Sequence, residues 1–199
     1  MKVLFLCTGN SCRSILAEAA FNHIAPSGWE AMSAGSEPAG YVHPRSLALL
    51  AREGIGADGY VSKSWEALPA APDIVITVCG SAAGEPCPAY LGPVLRSHWG
   101  VEDPAHATGS EQQIDAAFMK AYRILRFRIE AFLALPLSEL VADRARLKSE
   151  LDRIGLMLAL VGPVPGTSCR QRRAQSIQTH HIFDTALDIA FIACSLRSL

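Results

Sequence analysis

The sequence predicts an α/β domain built on a doubly wound parallel sheet, and three observations carry that expectation. Short apolar runs at residues 2–6, 29–33, 73–78 and 94–99 alternate with segments of helical period. The run at 73–78, Asp-Ile-Val-Ile-Thr-Val, lacks polar alternation, as a strand covered on both faces requires. Cys7 and Cys79 fall just past the ends of two of these runs. That edge is where open parallel sheets bind their ligands. A mixed sheet with an antiparallel edge strand is the alternative topology.

Each element has a local reason. Lys2 to Leu6 is apolar and stops at a Cys-Thr-Gly-Asn-Ser turn. From Arg13 the period becomes helical, with Ile15, Leu16, Ala19 and Ala20 on one side, until Pro26-Ser27-Gly28 ends it. A second strand at 29–33 leads into the loop 34–40. His43-Pro44 opens the next helix, which Gly54 and Gly56 close. After the third strand, residues 80–93 form a Gly/Pro-rich loop, followed by a short strand at 94–99 and another loop at 100–109. Ser110-Glu111-Gln112-Gln113 opens a long helix running to about Leu135. Leu140, Leu147, Leu151 and Ile154 place a further single helix over 138–154. Beyond Gly155 the texture changes: residues 162–168 read as a linker, Arg170, Arg172 and Arg173 cluster, and an apolar stretch at 186–199 has the composition of a helix. The expected organisation is one domain at 1–155 and an extension at 156–199.

Composition limits the function classes. Of 199 residues, 50% are apolar and 19% charged, so the bulk of the chain has ordinary globular composition. A formal net charge of −1 lacks the basic footprint of a nucleic-acid binder. The longest apolar candidate, 154–164, is interrupted by Gly155, Gly162 and Pro163, which argues against a membrane span. The first residues hold too short an apolar run for an export signal. The expected compartment is therefore the cytoplasm, where six cysteines point to chemistry more than to structural bridges.

The most informative segment is Cys7-Thr8-Gly9-Asn10-Ser11-Cys12-Arg13-Ser14, which joins a strand to a helix. Backbone amides of such a loop can converge on an anion at the helix N-terminus. Gly9 is expected to supply the unusual backbone angles of the wrap. Arg13 can grip two oxygens of a tetrahedral oxyanion, with Cys7 at the floor of the cradle. The same field is expected to lower the Cys7 pKa, and Ser14 can donate a hydrogen bond to the thiolate.

With these residues in view, positions 1–155 resemble the low-molecular-weight protein tyrosine phosphatase fold family, and within it the arsenate reductases. The resemblance rests on Cys7 to Ser14, on Ser33-Ala34-Gly35, on Cys79 and Cys87-Pro88, and on His98-Trp99-Gly100 with Asp103-Pro104. It implies a four-stranded parallel sheet flanked by helices. It also implies Cys7 as nucleophile, Arg13 as oxyanion ligand, Thr8 to Ser14 as cradle, Asn10 and Ser33 as loop supports, and Asp103 as general acid. In the phosphatases an aromatic residue usually follows the Asp-Pro pair, whereas Ala105 and His106 follow here.

The implied reaction is reduction of arsenate to arsenite through a relay of Cys7, Cys79 and Cys87. Thioredoxin, or glutaredoxin with glutathione, would renew the relay, with no bound cofactor. Phosphate monoester hydrolysis and non-catalytic oxyanion binding are the alternatives. Cys12 is either a reversible disulfide partner for Cys7 or a packed side chain. In some relatives a potassium ion sits at positions matching Asn10, Glu18 and Ser33; here Lys63 stands near the place of a further acidic ligand, and either cation fits the pattern. No paired short spacing suggests zinc. Other expectations are a monomer, scattered histidines without metal spacing, packed or rim tryptophans, and an exposed Arg123/Arg126/Arg128 face.

Overall fold

The computed structural model describes residues 1–80 and 94–157. Its strands are β1 (Lys2–Cys7), β2 (Glu30–Gly35), β3 (Ile74–Thr77) and β4 (Leu95–His98). They form one four-stranded sheet in the order β2-β1-β3-β4, with every neighbouring pair parallel. The antiparallel-edge alternative does not hold among the described residues. The helices are α1 (Arg13–Ile24), α2 (Pro44–Arg52), α3 (Glu111–Leu133), α4 (Leu137–Leu140) and α5 (Arg144–Gly155). Two 3₁₀ turns, Trp65–Ala67 and Pro104–His106, lie in the connections.

β1 is central, and its side chains alternate between two cores, as strand geometry dictates. Val3, Phe5 and Cys7 join the larger core with residues of α1, α3 and α5. Leu4 and Leu6 join Met32, Ala34 and Val75 on the other face, bordered by Trp65, Leu68 and Val94. In α1, Ser14 to Ala17 and Ala19 to Phe21 are all buried, so the helix is covered on most of its circumference. Phe5 meets Phe21 at 6.0 Å and Trp99 at 6.2 Å between ring centroids, and Trp99 meets Phe132 at 6.3 Å. Each such side chain adds roughly 1.5–3 kcal/mol on burial. The Trp99 indole N–H donates to the Leu151 carbonyl at 2.9 Å, which ties the end of β4 to α5. Gly155 permits that approach, because a Cβ there would strike the His98 carbonyl oxygen and lie 2.8 Å from Trp99 Cδ1.

Local signals explain the helix ends. The extended Ala25 stops α1 ahead of Pro26, since a residue before proline disfavours the helical region. Ser110 and Gln113 complete the capping box of α3.

Three expectations are corrected. β2 runs on to Gly35, because Ala34 and Gly35 pair with Leu6 and Cys7 of β1. The single helix at 138–154 is two: Asp143 takes a non-helical conformation (φ −109°, ψ 84°) and accepts a hydrogen bond from the Arg146 amide, capping α5. The Arg123/Arg126/Arg128 face is not uniformly solvated. Arg128 is buried, donating to the Gly100 and Met157 carbonyls, and Arg126 engages Glu53, Tyr122 and Glu130. Nearly all of the loop expected at 80–93, and the linker, arginine cluster and terminal helix expected in the extension, lie outside the described residues.

Candidate active site

β1 delivers Cys7 to the C-terminal edge of the sheet, and α1 begins six positions later. The connecting carbonyls are held from outside: Glu37 N donates to Thr8 O (3.0 Å), Ala39 N to Gly9 O (2.9 Å) and His43 N to Ser11 O (3.0 Å). With the carbonyls turned outward, loop amides face inward, and Asn10 N donates to Cys7 Sγ at 3.1 Å. Cys12 occupies the N-cap of α1 without a side-chain cap, so first-turn amides add to the same positive end.

Asn10, not Gly9, supplies the special backbone angle, with φ +43°. Asparagine tolerates this left-handed region better than most side chains. Its amide is fully engaged: Nδ2 donates to Ser14 Oγ (2.9 Å) and Ser33 Oγ (2.8 Å), and Oδ1 accepts from Lys63 N (2.8 Å). These bonds offset the backbone cost and fix the roles of their partners. Because Ser14 Oγ accepts from Asn10, its own hydrogen is available to Cys7 Sγ, 2.9 Å away. Gly35 closes the arrangement from β2. A Cβ there would collide with the Thr8 carbonyl and lie 3.0 Å from Asn10 Cβ.

Behind Asn10, Ser33 Oγ donates to Glu18 Oε2 at 2.5 Å, and the Lys63 ammonium lies 3.8 Å from the same oxygen. Burial pushes Glu18 up, while Ser33 and Lys63 hold it down. The structure thus brings Asn10, Glu18 and Ser33 together. Their donor set does not suit a potassium ion: the Asn10 oxygen is taken, the Ser33 hydrogen points at Glu18, and Lys63 already supplies the positive charge.

The lowered Cys7 pKa expected from the loop's field is not what this geometry gives. Burial pushes the thiol up, and the hydrogen bonds from Ser14 and Asn10 oppose it. The Arg13 charge is engaged elsewhere, with NH2 on Asp103 Oδ2 and NH1 on the Val101 carbonyl at 2.9 Å. Asp103 also caps the turn Pro104–His106 through the Ala105 amide. Cys12 is buried, and its thiol is raised to about 11 by burial, with Asp103 and Cys7 adding to the effect.

Cys79 lies past β3 and is 3% exposed, with its sulfur 3.6 Å from Thr8 Oγ1. The Val78 amide donates to Leu6 O at 2.8 Å, holding the chain before Cys79 level with the chain before Cys7. Cys87, Cys169 and Cys194 lie outside the described residues. A cavity of about 190 Å³ opens over the loop, bordered by Cys7, Arg13, His43 and Asp103, with the exposed Tyr41 and Ala105 also in its lining. His43 was not singled out by the sequence. His-Pro marked a helix start, but nothing local showed that the helix start would border Cys7. Among the described residues no cluster of His, Cys, Asp or Glu has the form of a metal site.

The strand–loop–helix cradle can seat a tetrahedral anion against a cysteine, with Arg13 and Asp103 beside it. The family model for low molecular weight phosphotyrosine protein phosphatase matches residues 2–152. The chain belongs to this family. That match takes in the nucleophile loop, Ser33, Asp103 and most of α5. The family domain here is 37% identical over 131 residues to an arsenate reductase of Shouchella clausii, spanning 65% of this chain and 93% of that protein. It is 35% identical over 131 residues to an arsenate reductase of Bacillus subtilis, with the same two shares. A solved arsenate reductase in its phosphate-binding state superposes with a TM-score of 0.56 at 30% identity, covering 67% of this chain and 96% of that one. No helix among the described residues is long and apolar enough to cross a membrane.

Proposed function

We propose that this protein reduces arsenate to arsenite, with Cys7, Cys79 and Cys87 as a thiol relay. The observation that carries the reading is a second buried cysteine at the sheet edge beside the nucleophile loop, joined to it through Thr8. A phosphatase reaction has no use for that thiol. The likeness to curated arsenate reductases supports the same choice.

The steps balance as thiol chemistry. Cys7 sulfur attacks the arsenic of arsenate bound by the loop amides and Arg13. The thiol proton and an arsenate hydroxyl leave together as water, with Asp103 passing the proton at the leaving oxygen. Cys79 thiolate then attacks Cys7 sulfur. The electron pair of the sulfur–arsenic bond stays with arsenic, which falls from the +5 to the +3 state and departs as arsenite. A 7–79 disulfide remains. Cys87 thiolate attacks Cys79 sulfur, releasing Cys7 and leaving a 79–87 disulfide. An internal disulfide of this kind suits a dithiol donor of the thioredoxin class, with glutaredoxin and glutathione as the other candidate. The reading places the protein as a monomer in the cytoplasm, with 1–155 as the catalytic domain.

For the reaction to start, an incoming oxyanion has to draw Arg13 from Asp103. The same exchange lets Asp103 serve the leaving oxygen. One observation favours a second reading, hydrolysis of phosphate monoesters through a phosphocysteine. Tyr41, 59% exposed in the cavity lining, offers an aryl substrate the aromatic wall that Ala105 lacks.

The deciding experiment follows NADPH loss with arsenate, thioredoxin and thioredoxin reductase. Arsenate-dependent turnover is expected, and Cys87→Ser is expected to stop after one cycle. Brisk aryl phosphate hydrolysis without arsenate-dependent NADPH loss under either reductant system would select the phosphatase instead. Repeated turnover by Cys87→Ser would remove Cys87 from the relay.

A further inference from the structure

His43 borders the cavity, its ring held in one orientation. It is the N-cap of α2, and its Nδ1 accepts from the Arg45 amide at 3.2 Å. A neutral imidazole has one accepting nitrogen and one N–H. With Nδ1 accepting, the hydrogen is on Nε2. The ring packs on buried Phe118 of α3 at 4.8 Å between centroids, tilted by 36°. The His43 amide is bonded to the Ser11 carbonyl at 3.0 Å, so its backbone is tied to the nucleophile loop itself. The ring borders the same cavity as Cys7, Arg13 and Asp103. Three independent constraints, from α2, α3 and the loop, hold one ring beside one site.

Its surroundings also favour the neutral ring. Burial and the adjacent Arg45 push its pKa down, with Asp103 opposing. A neutral ring leaves Nδ1 to its capping bond and presents Nε2–H as an uncharged donor.

We propose that His43 contacts the substrate, donating its Nε2–H to an oxygen of the tetrahedral oxyanion seated between Cys7, Arg13 and Asp103. This deepens the arsenate reading and rests on its premise that the loop binds an oxyanion. The division of labour follows from position. Loop amides and Arg13 serve oxygens near the Cys7 floor. Asp103 serves the oxygen that leaves. His43 adds a further donor, where water would otherwise compete.

The test measures binding apart from turnover. Cys7 alkylation by iodoacetamide is followed by mass spectrometry while inorganic phosphate is titrated as a non-reducible oxyanion. His43→Asn keeps an oxygen able to cap α2 but withdraws the donor from the cavity. His43→Gln reaches further and carries an N–H. The expected result is about tenfold weaker phosphate protection in His43→Asn, the size of loss typical for one hydrogen bond to a charged group. KM for arsenate should rise by a similar factor with kcat little changed, and His43→Gln should recover part of the loss. Thermal unfolding of both variants shows whether the fold is kept. Protection in His43→Asn within about twofold of the parent overturns the proposal. So does a loss that His43→Gln does not reduce at all, which would assign the effect to packing on Phe118. So too does a fall in kcat with KM unchanged, which would assign His43 to Asp103. Failure of phosphate and arsenate to protect Cys7 in the parent protein would overturn the oxyanion premise itself, and this contact with it.

Discussion

Cys7 combines two opposed influences, and their balance sets its reactivity. Burial raises the thiol, while Ser14 Oγ and the Asn10 amide donate to the sulfur. With the direction upward, the thiolate fraction at pH 7 is smaller than for an ordinary cysteine. Alkylation of Cys7 by iodoacetamide should therefore climb about tenfold per pH unit through neutrality. A plateau reached below pH 7 would show that the loop's field outweighs burial after all. Stability carries the same sign. A thiol whose folded pKa is raised contributes stability that is complete below its unfolded value and is lost as pH rises through the folded one. For Cys12 that window runs from the ordinary 9.0 to about 11. Urea midpoints should fall across this window, and Cys12→Ala should flatten part of the fall. An equally steep fall in Cys12→Ala would move the cause elsewhere. At this scale the sequence named the loop members and expected the Ser14 bond to Cys7, but it misplaced the turn. It assigned the turn to Gly9, because glycine is the usual owner of such angles. The tertiary partners Ser33 and Lys63 let Asn10 hold them instead.

At the scale of elements, the site is a junction of strand ends. Cys7 of β1 lies opposite Gly35 of β2 in register, and the Gly35 amide is bonded to the Lys63 carbonyl at 2.9 Å. A methyl group at Gly35 meets backbone, which cannot rotate away. Gly35→Ala is expected to cost about 2 kcal/mol or more in urea unfolding, in line with forced backbone shifts, and to expose Cys7 to alkylation. Gly9→Ala provides the contrast, since a Cβ there meets only Ala39 Cβ at 4.0 Å. It should stay within about 1 kcal/mol of the parent. Reversal of that order would refute the reading of the loop. The strands and α1 to α3 were legible because apolar periodicity and the proline and glycine stops are local, whereas the N-caps Cys12, His43 and Ser110 emerged only in the structure. The break between α4 and α5 was not, because the leucine spacing runs across it and only the Asp143 conformation divides it. Arg128 misled for a related reason. A charged residue on a helix reads as solvated unless the carbonyls it serves, Gly100 and Met157, are known to converge on it.

For the molecule as a whole, the net charge of −1 means that attraction of an oxyanion is local. KM for arsenate should change less than about twofold between low and physiological ionic strength, since a buried, contact-range field is weakly screened. A steep salt dependence would point to long-range steering by surface charge. Global stability depends on Trp99, which joins β4, α5 and the aromatic cluster around Phe5. Trp99→Phe removes a buried hydrogen bond and part of the packed volume. It should cost about 2–3 kcal/mol in chemical denaturation, with oxyanion protection of Cys7 retained in the folded fraction. Loss of protection without loss of stability would contradict this separation. The bond from Arg13 to Asp103 spans 90 positions of the chain. During synthesis at roughly 5–20 residues per second, the arginine waits on the order of 5–20 seconds for its carboxylate to be made. Over that interval the cysteine is already outside the peptidyl transferase centre, yet the groups that shield and direct it do not exist together. The site is therefore complete only late in synthesis, after Asp103 has followed Arg13 and Cys7.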